Sequence, residues 1–454
     1  MAKPPKLSAH FIGIGGIGMS ALARWFIAQN WSVTGSDIAN SQIIQELKKE
    51  GVKVKIGHKS GNLSPKTTMV VYNSAILDSN PELTTARRYG LRPLSYAQTI
   101  GCLTDAYRTI AIAGSHGKST TTALTGLTLV RAKFDPNVIV GTKLKEFDGK
   151  NFRLGQSKWL VLEADEWKGA FWHYSPEIII VTNIDREHLD FYKNLKNVEK
   201  SFLRFLARTR SGGTLILNRD DKNLYSLEGS IKKLSQKLRL KVYWYSLKDK
   251  EAKNVRAILQ ISGEHNVSNA MAVTTLAIKI LKIPLNTVLG ALKSYQGAWR
   301  RMEFKGKFKL NKIEIDVYDD YAHHPTEIKA TLAAFKLKFP KRPLICIFEP
   351  HQSKRLQALF KDFSEAFRAA DVTILLPAYE VAGRDTKYFS YTSEKLVKII
   401  QKKYPHKSTF YLKDPKQIAK FLKSKLSQSK DAKPPVLVMM GAGTIVNYTP
   451  FLLK

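Results

Sequence analysis

Apolar residues along the chain fall in short runs, each followed by a stretch where they recur every three or four positions, and the two patterns alternate from end to end. This alternation predicts βαβ units and parallel sheets. Residues 10–16 (HFIGIGG) predict a strand and turn, residues 18–30 a helix, and residues 31–37 (WSVTGSD) the next strand. A second series opens at 109–114 (TIAIAG), continues into a helix from Lys118, and adds strands at 159–166, 177–184 and 213–218. A third opens near 313–321 and adds 343–350, 372–379 and 435–443. There, Asp414 followed by Pro415 predicts the N-cap and first turn of a helix running to about residue 426. Three α/β blocks are therefore expected: 1–105, 106–300 and 301–454.

The length of 454 residues agrees with about three domains. No apolar stretch approaches the roughly 20 residues that cross a bilayer, and glycines interrupt the N-terminal apolar run, so neither membrane insertion nor a secretion signal is expected. Cys102 and Cys346 lack metal-site spacing, which fits a reducing, cytoplasmic setting. Lys and Arg total 73 against 38 Asp and Glu, a net charge of +35. The cations are spread at helical spacing rather than in one tract, so specific nucleic-acid binding is not expected. Steering of small polyanions and solvated surface are the competing readings.

The chemistry concentrates where predicted strands end. Gly13, Gly15, Gly16 and Gly18 form GxGxxG between a strand and a helix, with Asp37 ending the next strand, a diphosphate-binding pattern. The segment Gly114, Ser115, His116, Gly117, Lys118, Ser119, Thr120 follows another strand and opens a helix. Its backbone N–H groups can cradle phosphate, Lys118 can sit on the β/γ phosphates and the Ser119 hydroxyl can bind Mg²⁺. It is shorter than the usual loop, since Ile112 stands where GxxxxGK needs glycine. Glu163, Asp165 and Glu166 end a further strand, where an α/β sheet places its ligand. His188 lies in EHLD; read alone, it is as easily a surface histidine as a metal ligand. The third block carries DDYAHHPTE (319–327) and EPHQSKR (349–355), whose basic groups can hold a carboxylate.

In this order the motifs, with NSAI (73–76), NPE (80–82), GEHNVSNA (263–270) and GAWRRMEF (297–304), resemble the Mur ligases over nearly the whole chain. Within that family they are most similar to the branch that joins L-alanine to the lactyl carboxylate of UDP-N-acetylmuramate. The resemblance implies a Rossmann-like N-terminal domain binding the UDP-sugar, with Ser74 among its contacts, a central P-loop ATPase domain with a mostly parallel sheet, and a Rossmann-like α/β C-terminal domain. It implies ATP and Mg²⁺ as cofactors, an acyl-phosphate intermediate, and a monomer or weak homodimer. Lys118 is then expected to hold the ATP phosphates, Ser119 and Glu166 one Mg²⁺, and His188 a second. Asn266 and Asn269 would contact the adenine side, Asp320 and Arg301 the phosphates, and His351 and Arg355 the incoming amino acid and acyl phosphate.

Two places depart from the family pattern: Trp167-Lys168 after EADE, where Ser-Asp is usual, and Gln352, where PHR is common. Both put the choice of amino acid in question more than the use of ATP. The stretch from Asp221 to Gly263 is also short for the family's central domain, so a peripheral strand or two is expected to be missing there. The nearest competing function is the recycling branch, which attaches a tripeptide. An NAD-dependent oxidoreductase would account for Gly13 to Asp37 but would leave the second phosphate loop unused. A nucleotide-dependent nucleic-acid-binding protein would account only for the charge.

Overall fold

A computed structural model describes residues 7–310, 313–380, 390–426 and 433–453. Among them three sheets form, each fed by the strand-then-helix pattern. The first has strands Ser8–Ile12 (β1), Ser32–Asp37 (β2), Lys53–Ile56 (β3), Met69–Tyr72 (β4) and Leu94–Ser95 (β5), all parallel, in the order β3-β2-β1-β4-β5. The chain reverses its direction of travel between β1 and β4. That reversal opens a crevice at the strands' C-terminal ends, which is where doubly wound sheets bind ligands.

The second sheet contains Arg108–Ala113 (β6), Asn137–Leu144 (β7), Lys150–Arg153 (β8), Trp159–Glu163 (β9), Ile178–Val181 (β10), Thr214–Asn218 (β11) and Lys241–Tyr245 (β12). Its order, β12-β11-β10-β6-β9-β7-β8, puts the reversal between β6 and β9, so the loop after β6 faces the acids that end β9. Only β7 with β8 is antiparallel in this sheet. The segment expected to be short holds the single strand β12, which forms the sheet edge.

The third sheet comprises Glu303–Leu310 (β13), Ile313–Asp320 (β14), Leu344–Phe348 (β15), Val372–Leu375 (β16), Ser408–Tyr411 (β17) and Val436–Met440 (β18), in the order β13-β14-β18-β15-β16-β17. β13 pairs antiparallel with β14 and precedes the strand at which the sequence opened this block. β15 and β18 are fully buried runs of Leu, Ile, Val, Phe, Cys and Met, as parallel strands covered on both faces require. Asp414 does cap its helix, its side chain accepting from Lys416 N, and the first turn Pro415–Gln417 is a 3₁₀ turn leading into Ile418–Leu426.

Packing groups these sheets into two units. One holds residues 1–185, 196–259 and 268–296, and therefore the first two sheets; the other holds 186–195, 260–267 and 297–454. Inside the first unit the two sheets are tied by buried polar groups. Arg24, 5% exposed, donates to Asn151 at 2.7 Å and to Glu50 at 2.9 Å. Asn151 donates to the Ile17 carbonyl and Ser20 hydroxyl, and Lys143 reaches Glu46. No helix among the described residues is long and apolar enough to cross a membrane.

Candidate functional site

In the first unit, Gly13 leaves β1 at φ +78°, where a side chain would be strained, and a Cβ there would press on Asn73. Asn73, at the end of β4, also closes on Gly16, so the glycine turn and the NSAI segment share the crevice of the first sheet. Asp37 accepts the Gly15 N–H at 2.8 Å and that of Ala39, holding the turn from the neighbouring strand. Ser74, the residue after Asn73, is exposed.

The second phosphate loop is strapped to the end of β10. Ser115 N donates to the Asn183 carbonyl, His116 N to Asn183 Oδ1 at 2.8 Å, and Thr182 Oγ1 to the His116 carbonyl at 2.6 Å. His116 also pairs with Asp185 at 3.0 Å. Gly114 at φ +141° and Gly117 at φ +82° let the loop pass against Thr182 and Asn269, where a Cβ would collide. The helix Lys118–Arg131 starts immediately after it, and Thr120 is buried in its first turn. The loop's N–H groups thus sit at a helix N-terminus, the usual place for an anion.

Lys118 Nζ lies 2.8 Å from Glu166 Oε2 and 2.6 Å from the Gly114 carbonyl. Burial would lower its pKa, but Glu166 and Asp165 outweigh that and hold it above the usual lysine range. Glu166 is fully buried, and burial lifts its carboxyl to about 7 in spite of Lys118. The resemblance implies that Ser119 and Glu166 share one Mg²⁺; here the Ser119 hydroxyl donates to Glu163 at 3.0 Å. Glu163 also accepts the Gly141 N–H from β7 at 2.6 Å, and burial raises its carboxyl as well. A hydroxyl, the buried Glu166 and the half-buried Glu163 around one lysine are the hard oxygen donors that suit a small divalent cation.

The second unit holds the remaining residues. Arg355 donates to Glu187 at 3.0 Å and approaches His351 Nδ1 at 3.3 Å. Burial would raise the Glu187 carboxyl, but Arg355, then His324, His188 and His323, hold it well below the usual carboxylate range. His351 stacks on Tyr379 with centroids 5.6 Å apart, and His323 meets His351 edge-on at 5.9 Å. Burial and Arg355 push His323 down to about 4, so it is neutral at working pH. His188 begins the turn Leu189–Tyr192 at φ +52°, and its N–H donates to Glu187. Asp320 is buried and accepts from Met302 N and Ala322 N, which shapes the turn after β14. Arg301 faces Glu327 at 3.7 Å. Asn266 donates to the Ser262 carbonyl in this unit, and Asn269 belongs to the first.

Both departures from the family pattern stand on left-handed backbone, Lys168 at φ +51° and Gln352 at φ +70°. Such positions cost roughly 1 kcal/mol or more for a side-chain-bearing residue and cluster at functional sites. Sequence reasoning gave no role to Glu187 or Tyr379. The only signal for them was their place beside His188 and at the end of a strand.

Consecutive family models match the chain: the Mur ligase family catalytic domain over 8–108, the Mur ligase middle domain over 112–277, and the Mur ligase glutamate ligase domain over 300–443. A UDP-N-acetylmuramate--L-alanine ligase of Sulfurihydrogenibium sp. is 36% identical over 98% of this chain and 97% of its own length. The enzyme of the same name from Persephonella marina is 36% identical over 96% and 94%. Among solved structures, UDP-N-acetylmuramate-alanine ligase MurC from Thermotoga maritima superposes with a TM-score of 0.76 at 24% identity, covering 98% of both chains. A murein peptide ligase from Psychrobacter arcticus gives 0.71 at 23%, likewise over 98% of each chain. With three successive models spanning most of the chain and relatives 36% identical over nearly its full length, the chain belongs to the Mur ligase family.

Proposed function

We propose that this chain is an ATP-dependent ligase that joins L-alanine to the lactyl carboxylate of UDP-N-acetylmuramate, a step in peptidoglycan precursor synthesis. The observation that carries the reading is a pair of phosphate-type turns at the reversal points of two sheets in one unit, with the lysine and buried acids gathered at the second. The first turn takes the UDP-sugar, with Gly13, Gly15, Gly16, Gly18 and Ser74 as contacts and Asp37 holding the turn. The second takes ATP. Its domain limits are 106–300, flanked by a sugar-nucleotide domain over 1–105 and a ligase domain over 301–454.

In the reaction a lactyl carboxylate oxygen attacks the γ-phosphorus, and the bond to ADP breaks. The amine of L-alanine then attacks the acyl carbon, inorganic phosphate leaves, and the amine loses a proton. Little covalent chemistry falls to the protein, so positioning and charge dominate. Lys118 and the N–H groups of residues 117–119, at the start of the helix, hold the γ-phosphoryl oxygens. Ser119 and Glu166 would hold Mg²⁺ and His188 a second ion, which would neutralise phosphate charge. The half-buried Glu163 and the buried Glu166 support this assignment, since carboxyls whose pKa desolvation raises gain most from a cation. Arg355 and His351 address the acyl phosphate and the incoming amino acid. Asn266 and Asn269 address the adenine, and Arg301 and Asp320 the phosphate side. The full-length relatives favour L-alanine over the recycling tripeptide, and family membership leaves the oxidoreductase reading without support.

Phosphate release from ATP with Mg²⁺ and UDP-N-acetylmuramate is the test, with L-alanine, the tripeptide or no amine added. L-alanine-dependent release is expected. Release only with tripeptide would move the chain to the recycling branch, and no release with either would overturn the ligase reading.

A further inference from the structure

The helix Tyr96–Ala106 carries the chain from β5 of the first sheet to β6 of the second. Its N-terminus is fixed by a capping box: Gln98 N donates to Ser95 Oγ, and Ser95 N donates to Gln98 Oε1 at 2.9 Å. Tyr96, the first helical residue, is half-buried with its ring tip over the last glycine of the diphosphate turn. A Cβ at Gly18 would fall 2.9 Å from both Cζ and Oη of Tyr96. Burial, then the nearby Glu163 and Asp165 carboxylates, hold the phenol above its usual range, so it remains a proton donor. Its hydroxyl makes no hydrogen bond among the described residues, and the fully buried Tyr174 hydroxyl, which senses Tyr96 and Asp165, is also unpartnered.

These facts bear on a problem in the proposed reaction. The attacking group is a carboxylate that must approach a cluster of carboxylates, which repel it. An arginine or lysine in this position would be captured by Glu163 or Asp165, whereas a neutral phenol donates to an anion without pairing with the acids. The Arg24, Asn151 and Lys143 contacts hold the two sheets together, so the distance from the glycine turn to the phosphate loop is set by the fold.

We infer that the Tyr96 hydroxyl donates a hydrogen bond to the carboxylate-bearing end of the sugar nucleotide, holding its oxygen between the diphosphate turn and the phosphate loop. The inference rests on the ligase reading above. Tyr96→Phe keeps the ring against Gly18 and removes only the donor. Losing a hydrogen bond to a charged group predicts a rise of roughly ten- to a hundredfold in KM and Kd for UDP-N-acetylmuramate. The KM for ATP and the Kd for UDP, which lacks the carboxylate, are expected to stay within about twofold of wild type, because Tyr96 addresses neither. Calorimetric titration of each ligand into wild type and variant, beside steady-state kinetics, separates the possibilities. An unchanged Kd for UDP-N-acetylmuramate in the variant, or equal weakening of UDP, overturns the role of Tyr96 while leaving the ligase reading intact. Failure of wild-type protein to bind UDP-N-acetylmuramate while it binds ATP overturns both.

Discussion

Lys118 is held by Glu166 on one side and loop carbonyls on the other, so its removal tests the phosphate loop with small risk to the fold. Glu166 is left buried without its partner, but a carboxyl already at about 7 takes up a proton at neutral pH for little free energy. Lys118→Ala is therefore expected to fold, to lose about a hundred- to a thousandfold or more in turnover, and to bind UDP-N-acetylmuramate as wild type does. Loss of sugar-nucleotide binding in a folded variant would contradict the placement of the two turns on separate sheets. Arg355 is the opposite case. Its partner Glu187 is 5% exposed and strongly acidic, so Arg355→Ala strands a buried charge at a cost of about 3–5 kcal/mol. Thermal melting should show that loss, and adding Glu187→Gln should restore most of the stability but none of the turnover. Recovery of turnover in the double variant would reduce Arg355 to a structural residue.

At the scale of elements, the first sheet is stitched by a carboxylate from outside it. Glu82, in the first turn of the helix Pro81–Arg88, is fully buried and accepts from Ser36 on β2 at 2.6 Å and from Asn62 at 2.7 Å, and it pairs with His10 on β1 at 3.1 Å. Burial alone would raise its pKa, but these bonds bring it from 4.5 down to about 2. A carboxyl depressed on folding contributes stability that is present above 4.5 and lost as pH falls towards 2, here on the order of 3 kcal/mol. Glu82→Gln should therefore melt well below wild type at pH 7, with the gap narrowing at pH 3. A gap independent of pH would mean that packing, not charge, ties the helix to the sheet.

The same scale shows what the sequence could and could not reveal. Strands β1, β6, β9, β14, β15 and β18 and the turns after them were legible, because a buried parallel strand is a continuous apolar run and its functional turn follows within a few residues. Edge and antiparallel strands such as β8, β12 and β13 mix charged and apolar positions and gave no such signal. The partner of Ser119 was not legible either. Glu163 and Glu166 are three residues apart on a strand end, and only the β7–β9 register, which brings Gly141 N onto Glu163, decides which of them faces the hydroxyl. The roles of Tyr96 and Glu82 depend on contacts across the first unit that no local spacing encodes.

The whole molecule carries +35, and both proposed substrates are polyanions. A positive surface raises the local concentration of such ligands and speeds their encounter, while contributing little once they are seated, and salt screens it over roughly 8–10 Å. The expected result is a several-fold fall in kcat/KM for ATP and for UDP-N-acetylmuramate between about 50 and 200 mM salt, with kcat nearly constant. Because the lysines are dispersed along solvated helix faces such as Ser393–Lys403, binding to DNA should be weak and be released within the same range. If kcat/KM instead stays flat while DNA is retained at the higher salt, the surplus charge serves a polyanionic surface other than the substrates. The basic helices, rather than the nucleotide turns, would then be the place to map it.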